Sequence, residues 1–270
     1  MTTQSHRAFK LGTTSFIYPD HIVPNVERLG AHFEEIELLI FESMPDDALP
    51  PEQDIQKLVS LSQALDVGYN VHLPLDVSLT NPDPQQRIHA RERIVQVMNL
   101  TRPLNASTHT LHLDYNGPAS GPEDVRAWQK RAAHSLDALF KEGIDPRQIS
   151  VETLNFPFEF VDPLIREFDL QVCLDMGHIL KYGYDLERTF DTHRERIAVI
   201  HLHGVDMNGT YFKDHLSLDR LPDEVLLRVI ALLEKYSGVV SIEVFNLGNL
   251  ERSLTVLNTH FEGLGSFVHK

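Results

Sequence analysis

Histidine and acidic residues recur at the ends of short apolar segments along this chain of 270 residues. Fifteen residues are histidine, and imidazole is the commonest metal ligand in proteins and a frequent acid or base. Two segments carry a histidine (VHLPLD and LHLDYN), and two others carry a glutamate (VETLN and SIEVFN). Scattered core histidines have no reason to choose the same end of successive segments, so the pattern indicates one shared site.

This shared site is predicted to bind divalent metal ions. Glu152 and Glu243 lie in apolar segments without a Lys or Arg, where an unpaired carboxylate is costly. Mixed imidazole and carboxylate ligands suit one to three ions of Zn²⁺, Mn²⁺ or Fe²⁺ rather than Ca²⁺. The predicted metal ligands are His72, His112, Glu152, Asp175, His178, His201, Asp214, His215 and Glu243.

Five further polar residues have two interpretations each. Lys181 and Lys213 could contact an anionic substrate, or lie in a solvated loop. His203 is predicted to contact the substrate, or to orient a metal ligand through a hydrogen bond. Glu35 and Glu37 share one face of a segment, where they could join the site or form a polar layer inside the fold.

The elements that must position these residues alternate between strand and helix. Apolar runs rich in β-branched residues predict strands at 10–18, 33–41, 67–76, 108–116, 149–155, 170–178, 198–206 and 239–246. Helical periodicity predicts helices at 51–65, 84–104, 122–140, 157–168, 185–193, 222–236 and 249–261, with a short crossover at 23–30.

This alternation predicts an α/β fold, a single (β/α)8 TIM barrel domain covering residues 1–270. An open doubly wound sheet also alternates, but no strand is followed by a Gly-rich dinucleotide turn. In a parallel barrel the carboxyl ends of all strands meet at one rim, which is where the predicted ligands fall.

Composition restricts the partners. Lys and Arg number 24 against 39 Asp and Glu, which gives a formal net charge of −15 and opposes binding to nucleic acid or an anionic membrane. One Cys cannot form an internal disulfide. Without an apolar run of about 18 residues or a signal peptide, we expect a cytoplasmic protein.

The order of these ligands resembles that of the endonuclease IV and xylose isomerase-like barrel superfamily (AP endonuclease family 2). The most specific segment is CLDMGHILKYGYDL at 173–186, which resembles the Asp-x-x-His segment of that superfamily. The resemblance covers nearly the whole chain and implies a three-zinc site. Its ligands would be His72, His112, Glu152, Asp175, His178, His201 and Glu243. One loop departs from the family pattern of Asp-x-His, because Asp214 and His215 are adjacent here.

A closer resemblance is to the cobamide-remodelling phosphodiesterases of the same superfamily. It rests on LGTTSFIYPDHIVPNVERL, EIELLIFES, VHLPLD, LTRPLN, VIHLHGVD and KDHLSLDRL. The implied activity is hydrolysis of the phosphodiester in the nucleotide loop of a vitamin-B12-type cobamide. Its products would be a cobinamide phosphate and the nucleoside that carries the lower base.

We therefore predict a metal-dependent phosphodiesterase that acts on a small-molecule phosphodiester, with a corrinoid implied by the resemblance. The predicted catalytic residues are Glu152, His201 and Glu243. The main alternative is a sugar isomerase or epimerase, in which these residues and Asp175 hold one ion. The net charge disfavours an abasic-site DNA endonuclease. The buried acids disfavour a non-catalytic protein that only binds a corrinoid or a nucleotide. The oligomeric state stays open.

Overall fold

Eight parallel strands form a closed barrel in the computed structural model, which describes residues 5–45, 48–117, 121–207 and 212–262. The predicted barrel is thereby confirmed. Its strands, labelled in chain order, are β1 (Lys10–Thr14), β2 (Glu35–Leu39), β3 (Gly68–His72), β4 (His109–Leu111), β5 (Ile149–Glu152), β6 (Gln171–Asp175), β7 (Ile197–Leu202) and β8 (Val239–Ile242). Each strand pairs with the next, and β8 pairs with β1, so the barrel has no open edge.

Helices connect the strands and surround the barrel. They are α1 (Ile22–Leu29), α2 (Glu52–Leu65), α3 (Pro84–Thr101), α4 (Pro122–Phe140), α5 (Asp162–Phe168), α6 (Met176–Tyr182), α7 (Leu186–His193), α8 (Asp223–Leu233) and α9 (Leu247–Asn258). A short parallel pair, Ser5–His6 with Phe261–Glu262, lies outside the barrel. No helix among the described residues combines the length and the apolar character needed to cross a membrane.

Local sequence signals account for several helix ends. Pro84 and Pro122 begin α3 and α4, where the missing proline N–H needs no partner. The carboxylate of Asp83 accepts a hydrogen bond from the N–H of Gln85 at 2.9 Å and so caps α3. At the other end of its helix, Gly183 follows α6 with a φ of 73°, a conformation that glycine adopts without strain.

The two faces of the barrel strands differ in chemistry. Outward-facing residues such as Ile36 and Val71 are fully buried and pack in one large apolar core. Inside the barrel the apolar cluster is small and consists of Cys173, Val199 and Val239. Bulky branched residues usually fill such an interior, yet most of the buried residues here are polar: Glu37, Asn70, Thr110, Ser150 and Ser241. The strands therefore present a polar layer directly below their carboxyl ends.

The end of β6 differs from the sequence prediction. The predicted strand 170–178 ends at Asp175, and α6 begins at the next residue, so His178 lies in the first turn of a helix. The carboxylate of Asp175 caps that helix by accepting a hydrogen bond from the N–H of His178 at 2.7 Å. The prediction ran too long because a short apolar run has the same composition in a strand and in a buried helix.

The predicted strand 198–206 is also divided. β7 ends at Leu202, and Gly204–Asp206 pairs with Lys213–Leu216 in a separate antiparallel sheet. A side chain at Gly204 would place its Cβ 1.9 Å from the carbonyl oxygen of Ser217, so this approach requires glycine. Through this sheet the ring centroid of His215 comes within 4.2 Å of that of His203.

Candidate metal centre

Glu152, the last residue of β5, lies at the centre of the candidate site. It is 2% exposed, and its carboxylate contacts three imidazoles. Oε2 lies 3.2 Å from Nε2 of His72 and 2.8 Å from Nε2 of His112. Oε1 lies 3.2 Å from Nδ1 of His178. One buried carboxylate thus contacts three histidines that lie at or just after the ends of β3, β4 and β6.

The first group of potential metal ligands consists of His72, His112 and Glu152. Their ligand atoms lie within 4.8 Å of one another. Nδ1 of His72 lies 3.0 Å from the carbonyl oxygen of Leu73, which can only accept a hydrogen bond. Nε2 also faces an acceptor, Oε2 of Glu152, and that carboxylate outweighs burial and raises the pKa of His72. A metal ion would replace the proton on Nε2, while the contact with Leu73 keeps the proton on Nδ1.

The second group shares Glu152 with the first and adds Asp175, His201 and Glu243. All four are buried, and their ligand atoms also lie within 4.8 Å of one another. Nδ1 of His201 lies 3.2 Å from Oε2 of Glu243 and 3.9 Å from Oε2 of Glu152. The three carboxylates and one imidazole therefore converge on one point at the top of the barrel.

The third group consists of His178, His203 and His215. Its member His215 is one of the two adjacent loop residues predicted as ligands. The other, Asp214, belongs to none of the ligand groups found among the described residues. Asp214 instead forms a close ion pair with Lys181, and its carboxylate lies 3.7 Å from Nε2 of His178. Of the two adjacent loop residues, His215 has the position expected of a ligand.

His203 has a partner at each ring nitrogen. The backbone N–H of His215 donates to its Nδ1 at 3.0 Å, and its Nε2 lies 3.1 Å from Oδ1 of Asp175. The ring is 1% exposed. This burial is at odds with the predicted substrate contact and favours the other interpretation, in which His203 orients the carboxylate of Asp175.

The carboxylates of the site are held in their ionised form. Burial acts to raise the pKa of Glu152, but His112, His178 and His72 outweigh it and hold that pKa well below its usual value. Burial likewise opposes ionisation of Glu243, yet His201 and His215 lower its pKa to about 2. These acids therefore carry negative charge throughout the physiological range.

The same contacts between carboxylates and imidazoles raise the pKa of His178. Burial lowers the pKa of His178, but Asp175 and Glu152 outweigh it and raise that pKa to about 12. In the ion-free protein a proton on His178 thus balances part of the buried negative charge. A metal ion would replace such protons.

Several buried atoms of the second group fit a metal ion. Among the described residues, both ring nitrogens of His201 and Oε2 of Glu243 have no hydrogen-bond partner, although these residues lie close together. Buried polar atoms normally have a partner, and these are nitrogen and oxygen donors of the kind that Zn²⁺, Mn²⁺ and Fe²⁺ accept. The donor set therefore suits such an ion.

The two predicted cationic contacts differ in position. Lys181 lies in the last turn of α6 and is paired with Asp214, and that carboxylate outweighs burial and raises the pKa of the lysine. Lys213 is exposed and begins the second strand of the short antiparallel sheet. Both lie on segments that follow β6 or β7, on the rim side of the site.

Sequence analysis missed an aromatic wall beside the metal ligands. Phe41 has its ring centroid 5.0 Å from that of His72, and Phe245 has its centroid 4.8 Å from that of His215. The two phenylalanines lie 6.3 Å apart, and Phe16 lies 6.5 Å from Phe245. These residues follow β2, β8 and β1, so position after a strand was the available signal.

Comparison with known proteins gives a family match and one curated relative. The family described as xylose isomerase-like TIM barrels matches residues 23–260. Among curated proteins, the uncharacterized protein MJ1311 of Methanocaldococcus jannaschii is 24% identical over 278 residues, which cover 94% of this chain and 89% of that protein.

Solved structures share the fold at low sequence identity. A D-tagatose 3-epimerase-like protein superposes with a TM-score of 0.73 and 20% identity, covering 93% of this chain and 96% of its own. Endonuclease IV from Thermus thermophilus gives 0.67 and 17%, covering 93% and 98%. The IOLI protein, whose structure has a bound zinc atom, gives 0.67 and 15%, covering 94% and 100%.

Proposed function

The chain belongs to the family of xylose isomerase-like TIM barrels, and from this premise we propose that it is a divalent-metal-dependent phosphodiesterase. The proposed substrate is a small nucleotide-like phosphodiester, the nucleotide loop of a cobamide. Hydrolysis would release a cobinamide phosphate and the nucleoside that carries the lower base. The family's solved relatives include both an endonuclease and an epimerase-like protein, so the choice between these chemistries depends on the site.

The position of Glu152 in two ligand groups is the observation that carries the proposal. Its Oε2 lies 3.2 Å from His72 Nε2 in the first group and 3.9 Å from His201 Nδ1 in the second. A carboxylate that belongs to both groups would help to hold an ion in each of them. A one-ion sugar epimerase could use the second group alone and would not require both His72 and His112.

The side chains of the site have separable tasks in this reaction. Bound ions would supply Lewis-acid activation of the phosphodiester and of water. Glu152 sets the spacing of the first two groups, and His203 holds the carboxylate of Asp175 from behind. Glu243, with its pKa lowered to about 2, stays ionised and contributes negative charge to the second group.

Exposed apolar side chains at the rim favour a substrate that is larger than a sugar. Phe16, Met44 and Leu75 follow β1, β2 and β3, and each is more than 40% exposed despite its apolar side chain. With the wall of Phe41 and Phe245 they make one side of the barrel mouth apolar. Exposed apolar groups clustered at a site are typical of ligand contacts. A corrinoid would place a broad apolar surface there.

The opposite side of the mouth is suited to the phosphate. Lys181 and Lys213 lie on segments after β6 and β7, across the barrel from β2 and β3. The net charge of −15 still opposes a polyanionic substrate, because nucleic-acid surfaces need an extended basic stripe. A single phosphodiester needs no such stripe.

One observation favours a second candidate, a sugar isomerase or epimerase. The four residues of the second group are complete without the first, and the D-tagatose 3-epimerase-like protein shares the fold. In that case two of the carboxylates would move protons on a ketose. The two candidates make opposite predictions about substrates and about His112.

A substrate panel tests the proposal. Protein loaded separately with Zn²⁺, Mn²⁺ or Fe²⁺ would be incubated with a cobamide, an aryl phosphodiester, abasic-site DNA and a set of ketoses. We expect lower-base nucleoside from the cobamide, loss of activity with chelator and little cleavage of DNA. Epimerisation of a ketose without cleavage of any phosphodiester would decide for the second candidate. Turnover of no substrate would overturn both.

A further inference from the structure

Glu37 is a buried carboxylate that none of the tasks above uses, although one of its oxygens lies within 4.8 Å of ligand atoms of His72 and Glu243. It lies in the middle of β2 and is 1% exposed. Within the described part of the chain, its ion pair is with His201 alone. No Lys or Arg of those residues lies close enough to neutralise it. Retaining an unneutralised carboxylate inside a barrel is costly unless it has a specific partner.

The two oxygens of Glu37 are turned to different neighbours. The hydroxyl of Ser241 donates to Oε2 at 2.7 Å. Oε1 lies 2.9 Å from Nε2 of His201. Ser241 pairs in register with His201 across β8 and β7, so the three side chains form a chain from β8 through β2 to β7. The bond from Ser241 leaves Oε1 for the imidazole.

His201 meets carboxylates at both ring nitrogens. Nδ1 faces Glu243 of the second group, and Nε2 faces Glu37. A neutral imidazole has one N–H and one lone pair, and a carboxylate beside one nitrogen keeps the proton there. Glu243 would be bound to an ion of the second group, so Glu37 is the carboxylate left to hold the proton. The proton then stays on Nε2, and Nδ1 faces the ion.

The unsatisfied atoms of this pair are consistent with that role. Oε1 of Glu37 and Nε2 of His201 are 2.9 Å apart but not in hydrogen-bond alignment, and neither has another hydrogen-bond partner among the described residues. A small rotation of either side chain would let the buried imidazole and the carboxylate form a hydrogen bond with each other. Their separation is already within hydrogen-bond distance.

We propose that Glu37 is a positioning residue that orients His201 and fixes its tautomer for metal binding through Nδ1. The inference rests on the metal centre of the proposed function, and not on the identity of the substrate. Carboxylates behind metal-binding histidines typically change metal affinity about 10- to 100-fold. Glu37 would act at that level without touching substrate.

The chain offers a matched control in Glu35. It lies on the same strand and is 2% exposed, but it accepts hydrogen bonds from Asn70 and Ser107 rather than facing His201. Burial raises the pKa of Glu35, against these hydrogen bonds. Glu35→Gln therefore removes a buried carboxylate from β2 without changing the neighbour of His201.

The test compares Zn²⁺ affinity of Glu37→Gln and Glu35→Gln by competition with a chelating dye. We expect Glu37→Gln to weaken binding about 10- to 100-fold, and Glu35→Gln to leave it within about twofold of wild type. Nitrogen NMR of the zinc-loaded wild-type protein should show His201 with Nδ1 bound and a proton on Nε2. Equal affinities for the two variants, or His201 bound through Nε2, would overturn the proposal.

Two controls keep the outcome decisive. If Glu37→Gln does not fold, as judged by circular dichroism, Ser241→Ala replaces it, and a several-fold loss of Zn²⁺ affinity is expected because the carboxylate loses its fixed orientation. Unchanged affinity in that variant would overturn the proposal too. Failure of the phosphodiesterase assay in wild-type protein leaves this comparison intact, because the affinity measurement contains no substrate.

Discussion

Oε2 of Glu152 lies 2.8 Å from Nε2 of His112, across the boundary between β5 and β4. The same oxygen lies 3.2 Å from Nε2 of His72. Through these contacts Glu152 links His72 and His112, the first ligand group, to the four residues of the second group. A site made of the second group alone would lack them. His112 is therefore the residue whose removal separates the two candidate functions.

His112→Ala is expected to reduce phosphodiester hydrolysis about 100-fold or more, because it removes one of three ligands from the first group. Its side chain is 18% exposed, so the fold should tolerate the change. Steady-state kinetics with a cobamide checks this. An enzyme that uses the second group alone would lose much less, and near wild-type activity in the variant would contradict a role for the first group.

Metal loading is expected to stabilise the fold. Ion-free protein confines Glu152, Asp175 and Glu243 in one buried group, and an ion would neutralise their repulsion. Binding to the native state alone contributes about 4 kcal/mol when the ion is at roughly 1,000 times its dissociation constant. Thermal unfolding with Zn²⁺ and with excess chelator measures the shift. Identical melting temperatures in the two conditions would show that no ion binds here.

Metal affinity is expected to rise with pH. The pKa of His178 is raised to about 12 in the ion-free protein, because Asp175 and Glu152 outweigh the effect of burial. An ion bound by this imidazole must displace its proton, so affinity should increase about tenfold per pH unit for each proton released. Glu243, with a pKa of about 2, stays ionised in this range.

Zn²⁺ titration calorimetry in buffers of different ionisation enthalpy measures the released protons directly. Proton release close to zero, with an affinity that does not change between roughly pH 6 and pH 8, would contradict the assignment of these imidazoles as ligands.

Gly177→Ala is expected to displace His203 from Asp175. A Cβ at Gly177 would lie 2.0 Å from Cε1 of the His203 ring, which is 1% exposed. Overpacking of this kind costs about 1–3 kcal/mol. Gly248→Ala in α9 is the control, because the nearest atom to its Cβ would be 3.5 Å away. Denaturant unfolding compares the two, and equal stabilities would contradict the tight packing behind Asp175.

Much of the scaffold could be predicted because each barrel strand is a short apolar run bounded by turn residues. His109 lies three positions before His112 and so points to the opposite face, where its Nε2 lies 3.3 Å from Oγ1 of Thr101 in α3. Period-two alternation was sufficient for this, since it decides which residues point into the barrel. All eight predicted strands ran past the carboxyl end of the observed strand, because composition does not mark where a strand gives way to a helix, a bend or a loop.

The contacts between distant strands could not be predicted in the same way. Glu37 and Ser241 are 204 positions apart and meet only because β8 closes on β1 beside β2. The interpretation of Glu37 thus stayed open between a polar layer and the site. The role of His203 likewise depends on the backbone of His215, which a separate antiparallel sheet brings to it.

Phe16→Ala is expected to raise the KM for a cobamide about tenfold, equal to about 1.4 kcal/mol, with kcat nearly unchanged. The ring is 51% exposed at the mouth and contacts Phe245 at its edge, so its removal takes contact area from the substrate with little loss of packing. Leu227→Ala is the control, since Leu227 is 56% exposed but lies on helix α8, outside the barrel. Equal kinetics for both variants would contradict an apolar contact at the rim.

The number of metal ions bound per chain tests most directly the position of Glu152 in two ligand groups. Elemental analysis of protein equilibrated with Zn²⁺ and freed of excess ion would be compared between wild type and His112→Ala. The two linked groups predict at least two ions per chain in wild type and one fewer in the variant. A single ion in both proteins would contradict the account and leave the one-ion epimerase as the better explanation of the site.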